Sequence, residues 1–205
     1  MLAPPRPDIV RRRALRAPER SHAARLLREL HRHHRASAAH SLRVARLAAW
    51  IGGEGLYLPA LMHDMGKLMV PARLLAAPRR LDRFEIACIR EHPGWAEPIM
   101  RQQWGRRPPA LYVDVALQHH ERCNGSGYPR RLHGYQIRRE ARAVAVCDAF
   151  DARTTRTDRG AMGREAAMRW LARLAPLYVD IACVRALAGH LGLDMGAAGA
   201  AAGVG

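Results

Sequence analysis

Seven histidines and aspartates in this sequence, of types that bind metal, fall where helices would turn them inward. Laid out at 3.6 residues per turn, His40 aligns with Val44, Leu47, Ala48 and Ile51. Asp64 follows Tyr57, Ala60 and Leu61, with His63 beside it. His92 follows Leu81, Phe84 and Cys88. His119 follows Tyr112, Val115 and Ala116, while His120 follows Val113 and Leu117. Asp148 follows Ile137, Ala141, Val144 and Ala145. A buried carboxylate without a partner costs as much as a large part of what holds a domain together, so two in one core require cations. Imidazoles and carboxylates are ligands for a divalent metal. Seven are too many for one ion and suit two ions that share a carboxylate. A solitary histidine on an apolar stripe is usually a packed core residue, but five with two aspartates are not explained that way. His31, His33 and His34 lie in an arginine-rich stretch and read as a solvated face. His22, His133 and His190 show no partner in the sequence.

The elements that must position these groups all read as helices. One pattern runs from Ser21 to Ile51 and is ended by Gly52-Gly53. Others span about 56–64, 82–92, 94–104, 110–120, 137–153, 163–174 and 180–190, punctuated by Pro71, Pro78, Pro93 and Pro108-Pro109. Asp82 with Glu85 reads as a capping box. No useful run alternates with period two and no internal repeat appears, so the expected fold class is all-α, with the metal site in its interior.

Of the 34 basic residues, 33 are arginine, and the single lysine is Lys67. The net charge of +16 suits an anionic ligand. Residues 1–35 carry ten arginines and three acids and read as a basic, partly disordered extension. Residues 36–190 read as the domain and 191–205 as a flexible Gly/Ala-rich tail. Four cysteines without a CxxC exclude a disulfide scaffold and a cysteine-rich zinc module, and suit a reducing compartment. There is no apolar run of spanning length and no secretory signal, so the expected address is cytoplasmic.

The order of the seven residues resembles a known family. Leu61-Met62-His63-Asp64-Met65-Gly66-Lys67 resembles the HDxGK motif of the HD-superfamily phosphohydrolases. His119-His120-Glu121-Arg122-Cys123-Asn124-Gly125-Ser126-Gly127-Tyr128-Pro129 resembles the HHExxDGxGYP signature of the HD-GYP subfamily, and Cys147-Asp148-Ala149-Phe150-Asp151-Ala152 resembles its following DxFDA helix. The resemblance covers about residues 36–190. It implies an all-α bundle that hydrolyses cyclic di-GMP to the linear dinucleotide, and in some members on to GMP, by a hydroxide bridging iron or manganese ions. It implies His40, His63, Asp64, His92, His119, His120 and Asp148 as ligands, with Asp64 bridging and Lys67 stabilising charge on the phosphate. Gly127, Tyr128 and Pro129 would shape the loop beside the substrate, and that loop could also dock a signalling protein. Glu121 and Asn124 would support the ligands from behind. A homodimer is left open, and nucleic acid is not the expected partner.

The pattern also departs from the family. Ala36 stands where some members place a glutamate for a third metal, so two ions are expected. Asn124 stands where an aspartate is usual, and Ala77 lies near the place of a usual lysine. An Arg-Pro-Tyr-Lys-like segment that holds substrate phosphates is replaced by Arg156-Thr157-Asp158-Arg159-Gly160, leaving Arg153, Arg156 or Arg159 to substitute. That shift motivates two alternatives: a module that binds a cyclic dinucleotide or a partner without turnover, and an HD phosphohydrolase acting on another nucleotide.

Overall fold

A computed structural model of the chain describes residues 17–155 and 160–196. Over them the chain is a bundle of α-helices joined by turns and two 3-10 segments, with Asn124 and His133 forming an isolated antiparallel bridge. The expected disorder of residues 1–16, the tail from residue 197, and Arg156 and Arg159 lie outside the described residues. Among the described residues no helix is long and apolar enough to cross a membrane.

The helix read from Ser21 to Ile51 is two helices, α1 (Ala17–His33) and α2 (Arg35–Gly52). His34 takes an extended conformation, φ −154° and ψ 99°, and its Nδ1 accepts a hydrogen bond from the Ser37 amide, so it caps α2. The apolar stripe continues in phase through residue 34, which is why periodicity alone hides the break. Ala23, Leu26 and Leu30 of α1 are in the core. The boundary expected at residue 36 therefore falls inside the bundle, and residues 17–35 are an integral part of it. His33 and His34 are half-buried rather than solvated, and His33 Nε2 donates to the Val70 carbonyl at 2.7 Å.

After Gly53, at φ 86°, come α3 (Tyr57–Leu61), a 3-10 segment over Met65–Met69, and the short α4 (Ala72–Leu75). The capping box at α5 (Arg83–Arg90) forms as expected: Asp82 accepts from the Phe84 and Glu85 amides, and Glu85 accepts from the Asp82 amide. The stripe assigned to this helix does not face the core. Phe84 is 70% exposed, Cys88 is exposed, and α5 has no buried residue. His92 instead opens α6 (His92–Trp104), where Pro93 occupies an early position that needs no amide partner.

α7 (Ala110–Gln118) leads into the long loop of the GYP sequence, and α8 (Arg139–Thr155), α9 (Arg164–Leu174) and α10 (Ile181–Leu191) complete the bundle. α2 packs against α3 and α8, while α10 packs on α2, α8 and α9. α3 and α6 both pack on α7, and α6 and α1 pack on the 3-10 segment. Gly66 makes the contact with α6 possible. A Cβ there would collide with the His92 carbonyl, so only glycine lets this turn press against the start of α6. His22 packs at a tilt against Trp104, and His190 stacks on Trp50, which gives both histidines partners the sequence did not reveal.

Candidate metal centre

The bundle brings all seven candidate side chains to one place. They fall into two sets whose donor atoms lie within 4.8 Å of one another: Asp64, His92, His119 and His120 in one, and His40, His63 and Asp148 in the other. The Asp64 carboxylate is buried between them. Its Oδ1 lies 3.2 Å from His92 Nε2 and 3.8 Å from His119 Nε2. Its Oδ2 lies 3.4 Å from His63 Nε2 and 3.8 Å from His40 Nε2. One carboxylate thus presents one oxygen to each set.

Three of the imidazoles are aimed by the same device. His63 Nδ1 donates to the Ala60 carbonyl at 2.7 Å, His92 Nδ1 to Ile89 at 2.7 Å, and His119 Nδ1 to Ala116 at 2.9 Å. Each acceptor lies three residues back, in the last turn of α3, α5 or α7. Carbonyls there lack a partner four residues on, so a histidine just past the helix end can satisfy them. The bond places the proton on Nδ1 and leaves the Nε2 lone pair facing the cluster.

His40 sits in the middle of α2, where backbone carbonyls are already used. Its Nδ1 faces the Asp151 carboxylate at 2.6 Å and its Nε2 faces Asp148 at 2.9 Å. Asp151 is held in turn by Arg43, through Nε at 2.7 Å and a second guanidinium nitrogen at 3.0 Å. The sequence reading quoted Asp151 within the DxFDA-like segment without giving it a role, and missed Arg43. The available signal was their spacing, because each lies three residues after a candidate ligand, on α8 and α2.

Electrostatics follow from burial and pairing. Burial pushes the Asp64 carboxyl up, but Lys67 and then His63 and His92 bring it well below the usual carboxylate range. Burial likewise raises Asp148, while its hydrogen bond to His40 and the nearby histidines carry it well below. Burial lowers His40, yet Asp148 and Asp151 carry it up to about 9. Burial keeps His119 and His120 neutral, well below the ordinary imidazole value. Within this packed core, His63 Nε2 and Asp64 Oδ1 have no hydrogen-bond partner. Each such group costs about 1–3 kcal/mol. A lone pair and a carboxylate oxygen left over in a buried site are what a divalent cation takes up, so the donor set fits metal.

The remaining candidates are more dispersed. Lys67 Nζ lies 2.5 Å from Asp64 Oδ2. The Tyr128 ring stacks on His120, with centroids 4.7 Å apart. The buried Glu121 carboxylate turns away from the cluster to accept from the Arg130 and Leu132 amides at 2.7 and 3.0 Å, so it holds the loop. Gly127 packs against the backbone of Glu121 and Arg122, where a Cβ would collide. Asn124 accepts from the Ser126 amide and hydroxyl, a local turn rather than a contact with a ligand. Pro129 is exposed. The Arg153 guanidinium lies 4.5 Å over the Trp170 ring and packs α8 on α9.

Comparison with known proteins fits this geometry. The HD domain family matches residues 15–182. A 3′3′-cGAMP-specific phosphodiesterase of Vibrio cholerae is 36% identical over 133 residues, covering 60% of this chain and 30% of its own. A cyclic di-GMP phosphodiesterase of Pseudomonas aeruginosa is 43% identical over 98 residues, covering 48% of this chain and 23% of its own. The cyclic di-GMP phosphodiesterase response regulator RpfG of Xanthomonas campestris is 38% identical over 133 residues, covering 63% and 34%. The chain thus spans about a third or less of these relatives' lengths. Among solved structures, Bd1817, an HDG"Y"P protein from Bdellovibrio bacteriovorus, shares the fold with a TM-score of 0.61 at 20% identity, covering 75% of this chain and 51% of that one.

Proposed function

Because the chain belongs to the HD domain family and its GYP-containing loop resembles the HD-GYP signature, we propose that it is a metal-dependent phosphodiesterase that hydrolyses cyclic di-GMP. In this reading two divalent ions, iron or manganese, are held by Asp64, His92, His119 and His120 and by His40, His63 and Asp148, with Asp64 shared. The observation that carries the reading is the buried Asp64 carboxylate, with one oxygen toward each donor set. Ala36 offers no carboxylate for a third ion.

Ions held there would acidify a water molecule and draw charge off a phosphoryl group. The chain's own residues supply the rest. Lys67 is an ammonium at the edge of the cluster, placed to offset charge on the phosphate oxygens. A compact ammonium suits that position where a planar guanidinium is wider and differently aimed. Burial, with Asp64 and Asp148, pushes the Tyr128 phenol up, so it stays protonated and can donate beside His120.

A second reading, 3′3′-cGAMP as substrate, is favoured by the cGAMP-specific relative that matches 133 residues. The deciding experiment gives metal-loaded protein cyclic di-GMP or 3′3′-cGAMP, with metal analysis and product chromatography on one preparation. The expected result is linear dinucleotide, formed faster from cyclic di-GMP. No linear product from either, with the ions shown to be bound, overturns the proposal. In the same assay Lys67→Arg should keep its metals and lose about a hundredfold in kcat.

A further inference from the structure

A cavity of about 370 Å3 adjoins the donor cluster, lined by Arg90, Gly125, Ser126, Gly127, Tyr128 and Arg131. Tyr128 is its shared wall. One side of this residue meets His120, and the Arg90 guanidinium lies 5.2 Å over the ring. Neither Arg90 nor Arg131 has a carboxylate partner among the described residues, whereas Arg43, Arg79, Arg138 and Arg142 all do.

Arg131 is held there at a conformational cost. Among the described residues it is the one non-glycine with a positive φ, 54°. L residues disfavour that region, and such positions persist only where surroundings impose them. Glu121 imposes this one, because its buried carboxylate grips the amides of residues 130 and 132, on either side of Arg131. The fold therefore commits a buried acid to fixing the backbone of an exposed arginine at the mouth of this cavity.

We infer that Arg90 and Arg131 form a phosphate subsite, which takes the second phosphodiester of a cyclic dinucleotide while the first lies at the donor cluster. The inference rests on the proposed substrate class, since such a ring carries two phosphodiesters. Guanidinium groups bind phosphate oxygens in pairs through planar forks. The glycines leave the cavity wall without side chains, and the subsite supplies cations from α5 and the loop rather than from the segment after α8.

The test immobilises the full, metal-loaded chain and flows cyclic di-GMP or 3′3′-cGAMP over it, reading equilibrium surface plasmon resonance and collecting the effluent for product analysis. Arg90→Ala and Arg131→Ala should each raise Kd about tenfold. Arg107→Ala, at a cavity elsewhere, should not change it. Arg131→Gly suits the positive φ, so it should weaken binding while Tm holds or rises. That combination is one a merely structural arginine would not give. Unchanged Kd in the Arg90 and Arg131 variants, or no binding of either dinucleotide by the parent chain, overturns the subsite. Binding that weakens as expected with no linear product sinks the hydrolytic reading alone. Linear product with unchanged Kd sinks the subsite alone.

Discussion

Two walls of the donor cluster aim their imidazoles by different means. On one, His63, His92 and His119 follow the ends of α3, α5 and α7 and are fixed by main-chain carbonyls. On the other, His40 and Asp148 face each other from the middles of α2 and α8 and depend on side chains, Asp151 and behind it Arg43. A carbonyl cannot be mutated away, so the first wall resists substitution behind its ligands. The second can be loosened one residue at a time. The two sets of donors should therefore fail separately, except where they share Asp64.

The largest effect comes from removing what they share. Asp64→Ala takes one oxygen from each set and leaves the surrounding histidines without their central carboxylate. Both ions should be lost, with activity falling by more than the about 10–100-fold that a residue supporting a ligand contributes. Metal analysis of the purified variant checks this, and retention of both ions would refute the sharing.

Next comes the carbonyl-fixed wall, which must be attacked through its backbone. Gly66→Ala sets a methyl against the His92 carbonyl, so the turn carrying His63 and Asp64 must move away from α6. Overpacking of this kind costs about 1–3 kcal/mol, a fall in Tm of about 2–12 °C for a chain this size. Thermal unfolding with metal analysis would show it. An unshifted Tm with full metal content would mean that the glycine is not what seats the wall.

How much of this could be read from the sequence follows the same division. The gathering of the seven candidate side chains was legible because residue type and order carry it, and so was the all-α class, because its periodicity survives in nearly every segment. The way the ligands are aimed was not. The inward stripe describes His40 and Asp148, which are mid-helix. It misdescribes His92, whose supposed stripe on α5 points Phe84 outward at 70% exposure. A helix end is defined by hydrogen bonds that stop, and periodicity does not record them. The cap at His34 escaped for the same reason, since the stripe runs through it. Arg131 was hidden because nothing in the letters shows that its φ is positive.

The α2–α8 wall should yield to a change that touches no ligand. Asp151→Asn keeps the shape and a hydrogen bond to His40 but removes the charge that favours a proton on Nδ1. The affinity of one ion should fall about 10–100-fold, while the set of His92, His119 and His120 keeps its own. Titration with limiting metal would then show two unequal classes of site in the variant. Equal weakening of both would erase the distinction between the walls.

The smallest effect belongs to Arg43, one contact further out. Its guanidinium is partly exposed, with 40% of the side chain accessible, but the Asp151 carboxylate it holds is only 4% accessible. Arg43→Ala leaves that carboxylate bonded to His40 but free to turn about its own side chain. Burial raises the Asp151 carboxyl, and His40 and Arg43 together bring it below its usual value. Without Arg43 that lowering is only partly undone, because His40 remains. Metal affinity at the α2–α8 set should fall by less than about tenfold, and Arg43→Lys, which keeps charge without the two-pronged contact, should recover part of it. If Arg43→Ala instead matched Asp151→Asn, the aspartate would have no orienting power of its own, and the second wall would rest on the arginine.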